Sequence, residues 1–79
     1  MIRVLFFGPV AERVGARELE LPFVPGMRLQ KLIDQLNTDH SGAFDVVSFI
    51  AVNQAQVKDT QLPLKDGDEI AFMAKFSGG

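Results

Sequence analysis

Residues 64–74 read LKDGDEIAFMA, a turn-forming stretch that leads directly into an apolar run. Lys65-Asp66-Gly67-Asp68 has the composition of a tight turn, and residues 69–74 have the length and apolar content of a β-strand. A second apolar run, residues 2–7, opens the sequence and ends at Gly8-Pro9. Such a continuous run is typical of a strand buried on both faces in the middle of a sheet. We therefore expect the first and last strands to lie side by side at the centre of one sheet.

Two helices are predicted between these strands. Pro9 at a first helical position and Gly15 at the end predict a short helix over residues 9–14. Further along, apolar residues recur at the i, i+3, i+4, i+7 spacing that forms one stripe on a helix. These residues are Leu29, Leu32, Ile33 and Leu36. This main helix has no Ser, Thr or Asp at its start, and the polar residues 37–42 predict its end.

Further strands are predicted on either side of the main helix. Residues 18–24 alternate between polar and apolar, which indicates a half-buried strand, and Pro22 favours a position near an edge. Residues 46–52 form another apolar run of strand length, and Asn53-Gln54 predict a tight reversal into residues 55–57. Strand, strand, helix and further strands with short links predict an α+β domain. The main helix is expected to pack across one face of a mixed sheet.

The composition limits the possible functions. With 79 residues and 47% hydrophobic content, the chain has room for one compact domain, which we assign to residues 1–74. Residues 75–79 show no packing pattern and are expected to form a C-terminal tail. A formal net charge of −2 offers no basic surface for nucleic acid or anionic lipid. The N-terminal apolar run is too short for a signal peptide or a membrane span, so we expect a cytoplasmic protein that binds neither nucleic acid nor membrane.

Few residues are suited to catalysis inside the domain. His40 lies between Asp39 and Ser41, but the members of a catalytic triad must be brought together by folding around an oxyanion site. A solvated loop explains these neighbours more simply. The sequence has no cysteine, one histidine and no glycine-rich phosphate loop. We therefore predict no catalytic residue, no bound metal and no bound cofactor.

The remaining chemical signal lies at the C-terminal end. Gly78-Gly79 close the sequence, and two terminal glycines occur by chance in roughly one chain in 200 at average glycine usage. Glycines form a thin arm that fits a narrow channel, and residues 75–79 span about 17 Å when extended. The ionised α-carboxylate is a poor electrophile, so acyl chemistry at Gly79 requires activation by a nucleotide in another enzyme. The plain alternative is that Ser77-Gly78-Gly79 is only a frayed end.

Three blocks of the sequence carry a family resemblance. They are Val4-Leu5-Phe6-Phe7-Gly8 with Val14-Gly15, then Ala51-Val52-Asn53, and then Leu64 to Phe72 running towards Gly78-Gly79. Together they resemble the small subunits of molybdopterin synthase. The resemblance spans essentially the whole chain and implies a β-grasp fold related to ubiquitin. It also implies that an activating enzyme adenylylates the terminal glycine, here Gly79, with ATP. On the same resemblance, the glycine is expected to be converted to a thiocarboxylate that donates sulfur to a cyclic pyranopterin in molybdenum cofactor biosynthesis.

The resemblance implies a set of protein partners. The tail is expected to insert into the large subunit of molybdopterin synthase, in a heterotetramer whose catalytic side chains come from the large subunit. An adenylyltransferase similar to ubiquitin-activating enzymes and a sulfur donor protein are expected as further partners. On this interpretation the chain is a carrier and not itself a catalyst.

Residues close to the tail are candidates for contact with these partners, because a sheet face left uncovered by the helix exposes aromatics there. The candidates are Phe7, Phe72, Lys75 and Phe76, with Ser77 and Gly78 completing the tail before Gly79. For Phe7, Phe72 and Phe76 the alternative is core filling. The sequence departs from the family at residues 73–76, Met-Ala-Lys-Phe, where members commonly carry a Pro-Pro pair. Proline pre-extends a backbone, so a less rigid tail is expected here.

The fold and the tail leave the acceptor of the sulfur open, because one fold serves several functions. The chain is alternatively a sulfur carrier for the thiazole of thiamine or for another pathway, or a ubiquitin-like protein modifier. An alternative of a different class is a β-grasp module that binds partners through its sheet, without chemistry at its terminus.

Overall fold

A mixed sheet of five strands forms the frame of the computed structural model, which describes residues 1–74. The strands are β1 (Ile2–Phe6), β2 (Glu18–Leu21), β3 (Val47–Val52), β4 (Ala55–Val57) and β5 (Glu69–Ala74). Their order across the sheet is β2-β1-β5-β3-β4. β1 and β5 run parallel, whereas the other neighbours run antiparallel. The first and last strands are therefore adjacent, as predicted, and the α+β class is confirmed.

Two α-helices and a short 3₁₀ helix connect these strands. They are α1 (Pro9–Val14), α2 (Leu29–Asp39) and the 3₁₀ helix Ala43–Val46. α1 begins with its proline and ends at Gly15, whose φ of 84° is a left-handed conformation that glycine adopts without a Cβ clash. α2 begins without a side-chain cap, as its sequence predicts. Both predicted helices are thus present.

One hydrophobic core lies between α2 and the sheet. The buried side chains of α2 are Leu29, Leu32 and Leu36, and they belong to the same cluster as alternate residues of β1 and β5. These strand residues are Ile2, Val4, Phe6, Ile70, Phe72 and Ala74, with exposures between 0% and 6%. Full burial of a large apolar side chain contributes about 1.5–3 kcal/mol. This layer therefore holds the main helix across one face of the sheet and leaves the opposite face open.

The structure corrects two details of the predicted sheet. The central strand is β5, and β1 lies next to it. β1 is also buried on one face only, because Arg3 is exposed and Leu5 is half-buried. An apolar run indicates burial in general but does not distinguish one covered face from two. At the edge, β2 ends at Leu21, directly before Pro22, because proline has no N–H for a ladder hydrogen bond.

The reversal at Asn53-Gln54 joins β3 to β4. Both residues have positive φ, 52° and 72°. Two successive residues with positive φ are typical of a type I′ turn, whose twist matches that of antiparallel strands. Asparagine tolerates this conformation better than most residues. The predicted tight reversal is therefore confirmed.

Candidate functional site

The chain leaves the described structure from the middle of the sheet. Ala74 ends the central strand β5 and is paired with Val47 of β3. On its other side β5 is paired with β1 as far as the pair Phe6 and Phe72. Ala74, the last described residue, therefore lies at the end of the sheet where β1 also ends. The predicted site residues outside the described residues are Lys75, Phe76, Ser77, Gly78 and Gly79, and their roles stay predictions.

An apolar patch lies on the open face of the sheet next to this end. We define the apolar patch as Leu5, Phe7, Phe49, Ala71 and Met73. Side chains alternate between the two faces of a sheet, and the strand register places Leu5 opposite Ala71. It also places Phe49 opposite Met73. Phe7 directly follows β1, and its N–H donates to the carbonyl oxygen of Phe72 at 3.1 Å, so it continues the row that contains Leu5.

Two aromatic side chains of the apolar patch are exposed. Phe7 is 46% exposed and Phe49 is 38% exposed. Exposed apolar groups that form one surface on a small domain indicate a contact with another protein. Phe7 therefore has the accessibility that its predicted role requires. Phe49 is absent from the sequence candidates because it lies inside a continuous apolar run, where composition does not reveal which residues face outward.

Phe72 is not available for such a contact, and the structure corrects its predicted role. Its side chain is 0% exposed and belongs to the core beneath α2. The Phe72 ring stacks on Phe6 with centroids 5.9 Å apart. It also meets the edge of Phe44, with centroids 4.8 Å apart. Phe72 thus fills the core, which was the alternative interpretation.

A groove borders the apolar patch where β1 meets α1. Its volume is about 500 Å³, and we call it the β1–α1 groove. Its lining comprises Leu5, Phe6, Phe7, Gly8, Ala11, Glu12, Arg17 and Glu18. A second cavity of about 540 Å³ lies between the β2–α2 loop and the start of α2. β2 begins opposite Leu5 and ends opposite Ile2. The second cavity, which follows β2, is therefore at the opposite end of the sheet from Ala74.

The other half of the open face is charged. Arg3 donates from Nη2 to Oε1 of Glu18 at 3.0 Å and from Nη1 to Oε2 of Glu69 at 3.5 Å. The hydrogen bond to Glu18 and the negative charge of that carboxylate raise the pKa of Arg3, and Glu69 and Glu20 add to the effect. These groups are exposed, so water and salt screen their attraction. The open face is therefore apolar near Ala74, where β5 ends, and charged at the opposite end of the sheet.

Two of the sequence blocks meet at that far end. The Asn53 side chain donates from Nδ2 to Oδ1 of Asp68 at 3.0 Å, and Glu69 N–H donates to Oδ1 of Asn53 at 3.0 Å. Asn53 N–H donates to the Glu69 carbonyl oxygen at 2.8 Å. Asp68 also accepts the Lys65 N–H, at 2.8 Å. These contacts tie the β3–β4 turn to the start of β5, so residues of both blocks hold the central strand in place.

The described residues offer no assembled catalytic centre. Within residues 1–74, no three or more His, Asp or Glu side chains come together as a possible metal site. His40 caps the C-terminal end of α2, where its N–H donates to the carbonyl oxygen of Leu36 at 2.8 Å. No helix in the described range is long and apolar enough to cross a membrane. What the described residues provide is a central strand that ends at Ala74 beside an apolar surface.

Solved structures agree with this fold. SAMP1 from Haloferax volcanii superposes with a TM-score of 0.83 at 20% identity, covering 99% of this chain and 98% of that chain. The complex of subunits 1 and 2 of the molybdopterin-converting factor from Helicobacter pylori 26695 contains a chain with a TM-score of 0.72 at 26% identity. The alignment covers 99% of this chain and 97% of that chain. The fold is therefore the β-grasp fold.

Sequence relatives cover the whole chain. It is 39% identical over 83 residues to the molybdopterin synthase sulfur carrier subunit of Escherichia coli (strain K12), which covers 100% of both chains. It is 35% identical over 82 residues to the subunit of the same name in Homo sapiens, covering 99% of this chain and 93% of the relative. The model of the ThiS family matches residues 4–79. With its fold, its full-length relatives and this match in agreement, the chain belongs to the ThiS family.

Proposed function

We propose that this chain is the sulfur carrier subunit of a molybdopterin synthase and that Gly79 bears the sulfur. The observation that carries this proposal is the full-length identity of 39% to a relative with that name. The family match extends through Gly78 and Gly79. The described domain suits the role, because its central strand ends at Ala74 beside an exposed apolar patch.

The proposed chemistry takes place at the C-terminal carboxyl group. A carboxylate oxygen of Gly79 attacks the α-phosphorus of ATP in an activating enzyme, and pyrophosphate leaves. Sulfide from a sulfur donor protein then attacks the carbonyl carbon of the acyl adenylate, and AMP leaves with the bridging oxygen. The product is a thiocarboxylate, which passes its sulfur to a cyclic pyranopterin. Activation comes first because a carboxylate ionised at neutral pH is a poor electrophile.

In this proposal the domain supplies recognition and its partners supply catalysis. The activating adenylyltransferase binds ATP, and the large subunit of the synthase provides the side chains that act on the pterin. Glycine suits the transfer end because it has no side chain to block a narrow channel. The chain itself binds no cofactor and works in the cytoplasm.

The apolar patch is the proposed docking surface for the large subunit. The solved complex of subunits 1 and 2 from Helicobacter pylori, with a chain 26% identical to this one, supports a partner of this kind. Buried aromatic anchors commonly dominate the binding energy of an interface. Phe7 and Phe49 are the exposed aromatics of the patch. Docking there places the tail against the same partner, and two such carriers on a dimer of large subunits make the heterotetramer.

Intact mass measurement tests the chemistry directly. The purified chain is incubated with ATP, a molybdopterin-type adenylyltransferase and sulfide, beside a control that lacks Gly79. We expect a mass gain that corresponds to sulfur replacing oxygen, located on the C-terminal peptide and absent from the control. A chain that forms neither adenylate nor thiocarboxylate with several such enzymes would contradict the proposal and favour a plain interaction module.

The acceptor needs a separate experiment. A strain that lacks its own synthase small subunit should regain molybdoenzyme activity when it produces this chain together with the matching large subunit. A variant without Gly79 should not restore activity. If sulfur is loaded on Gly79 but the strain is not complemented, the chain serves another acceptor, such as the thiazole of thiamine.

A further inference from the structure

We propose that Met73 is a site of reversible oxidation and that its conversion to methionine sulfoxide blocks docking on the apolar patch. The modifying reagent is a small hydroperoxide, such as hydrogen peroxide. The state of the one thioether in the apolar patch then controls whether the free chain joins a partner. The consequence for assembly with a large subunit rests on the proposed function, whereas the modification itself does not.

Met73 lies between the two exposed aromatic side chains of the apolar patch. On one side, β3 pairs Phe49 with Met73. On the other side, β1 and β5 run parallel up to the pair Phe6 and Phe72. The N–H of Phe7 donates to the carbonyl oxygen of Phe72 at 3.1 Å, so Phe7 is the next residue along β1 and flanks Met73. Met73 therefore occupies the middle of a row of three large apolar side chains on the open face.

The three methionines of the chain are in different environments. Met27 is 7% exposed and belongs to the core. Met1 is 55% exposed, and its carbonyl oxygen accepts the N–H of Gly67, so it lies at the charged end of the sheet. Met73 is half-buried on the open face. Oxidation of a methionine depends on access to its sulfur. Met1 and Met73 are therefore accessible to a peroxide, and of these only Met73 belongs to the apolar patch.

The oxidation transfers one oxygen atom to the sulfur of Met73. A sulfur lone pair attacks one oxygen of hydrogen peroxide, the O–O bond breaks, and an S–O bond forms. The departing hydroxide takes the proton from the transferred oxygen and leaves as water. A methionine sulfoxide reductase reverses the change, because two thiols supply the electrons and become a disulfide while the oxygen leaves as water. The chain has no cysteine to compete for the peroxide.

Oxidation changes the centre of the apolar patch from apolar to polar. A thioether is polarisable and packs favourably against aromatic rings. A sulfoxide oxygen is hydrated, and a partner that covers the patch removes this water, while the flanking side chains of Phe7 and Phe49 offer no hydrogen-bond donor. We expect the affinity for a large subunit to fall by about 10-fold or more. The fold is retained because Met73 lies on the face opposite α2 and the core.

Peptide mass mapping tests the modification site. The chain without sulfur on Gly79 is treated with dilute hydrogen peroxide, catalase stops the reaction, and the oxidised fraction of each methionine is measured over time. We expect Met1 and Met73 to gain one oxygen several-fold faster than Met27. Prior addition of the large subunit should slow the oxidation of Met73 and leave that of Met1 unchanged. Oxidation of Met73 as slow as that of Met27 would overturn the proposal.

Isothermal titration calorimetry with the large subunit tests the consequence. Each chain is compared with its own untreated sample, so a difference in starting affinity between variants cancels. Treatment should weaken binding of the parent and of the matched control Met27→Leu by about 10-fold or more. It should not change the affinity of Met73→Leu, although Met1 of that variant is oxidised. Incubation of the treated parent with a methionine sulfoxide reductase should restore its affinity.

Two results of the binding experiment would overturn the proposal. One is an equal loss in the parent and in Met73→Leu, because the effect would then come from another residue. The other is loss of the native circular dichroism spectrum in the treated parent, because the sulfoxide would then act on the fold and not on docking. Absence of binding by every untreated chain would instead contradict the docking role in the proposed function, and the peptide masses would still decide whether Met73 is the modification site.

Discussion

Phe72 and Phe7 are linked by a backbone hydrogen bond of 3.1 Å, yet their side chains are in opposite environments. Phe72 is 0% exposed and packs between Phe6 and Phe44 under the main helix. Phe7 is 46% exposed on the open face. Both residues belong to sequence blocks that resemble the same family. Phe72 therefore maintains the fold, whereas the side chain of Phe7 is accessible to a partner. The two residues differ in the face of the sheet from which their side chains project.

The largest effect is expected from Phe72→Ala. Truncation of a buried phenylalanine costs about 3–5 kcal/mol. A domain of this size is commonly only about 3–5 kcal/mol stable, so much of the variant should be unfolded at 25 °C. Urea unfolding followed by circular dichroism measures the loss. Phe7→Ala is the matched comparison and should change the free energy of unfolding by less than about 1 kcal/mol. Equal losses in both variants would erase the distinction between the two faces.

Affinity for the large subunit, unlike stability, should depend on the exposed Phe7. Phe7→Ser removes an exposed aromatic anchor and should weaken binding to the large subunit by about 2 kcal/mol, or roughly 30-fold. Isothermal titration calorimetry with the purified large subunit measures this change. Val24→Ser is the control, because Val24 is 59% exposed but lies outside the apolar patch. Similar losses for the two variants would argue against docking on the open face.

A smaller effect is expected at the N-terminal end of β5, where the Asn53 side chain is hydrogen-bonded to Asp68 and Glu69. Asn53→Ala removes the side-chain bonds to Asp68 and Glu69 and should cost about 1–3 kcal/mol of unfolding free energy. Asn53→Gly removes the same bonds but suits the positive φ of 52°. Its cost in chemical denaturation should therefore be smaller than that of alanine. If glycine is as costly as alanine, backbone conformation contributes little at this turn.

The smallest effect is expected from Arg3→Gln on the charged half of the open face. The pKa of Arg3 is raised, so its stabilising contribution is complete below its ordinary, strongly basic pKa and is lost only above it. Arg3 therefore contributes no pH dependence near neutrality. Its exposed ion pairs are screened, so any difference in thermal midpoint between the variant and the parent should shrink as salt is added. A difference that persists at high salt would mean that packing, not charge, is responsible.

Local sequence signals predicted much of the fold. Three of these signals act within a few residues of chain. They are the turn residues before residue 69, the proline and glycine at the ends of α1, and the leucine stripe of α2. Their physical causes are local backbone geometry and side-chain periodicity, so the elements were predictable. The adjacency of β1 and β5 was predicted instead from their continuous apolar runs. The end of β2 was missed by three residues because alternation continues to Val24 although Pro22 interrupts the ladder.

The sequence by itself determined the elements, the lack of thiol chemistry and the glycine end at which the proposed reaction takes place. Only the tertiary structure decided that β5 is central, that Phe72 is core, and that Phe7 and Phe49 are exposed together on one face. It also brought Asn53 and Asp68 into contact across the sheet. The physical reason is that burial and contact depend on strand register and on which face the helix covers. Both arise from interactions between residues far apart in the chain, which apolar runs alone do not encode.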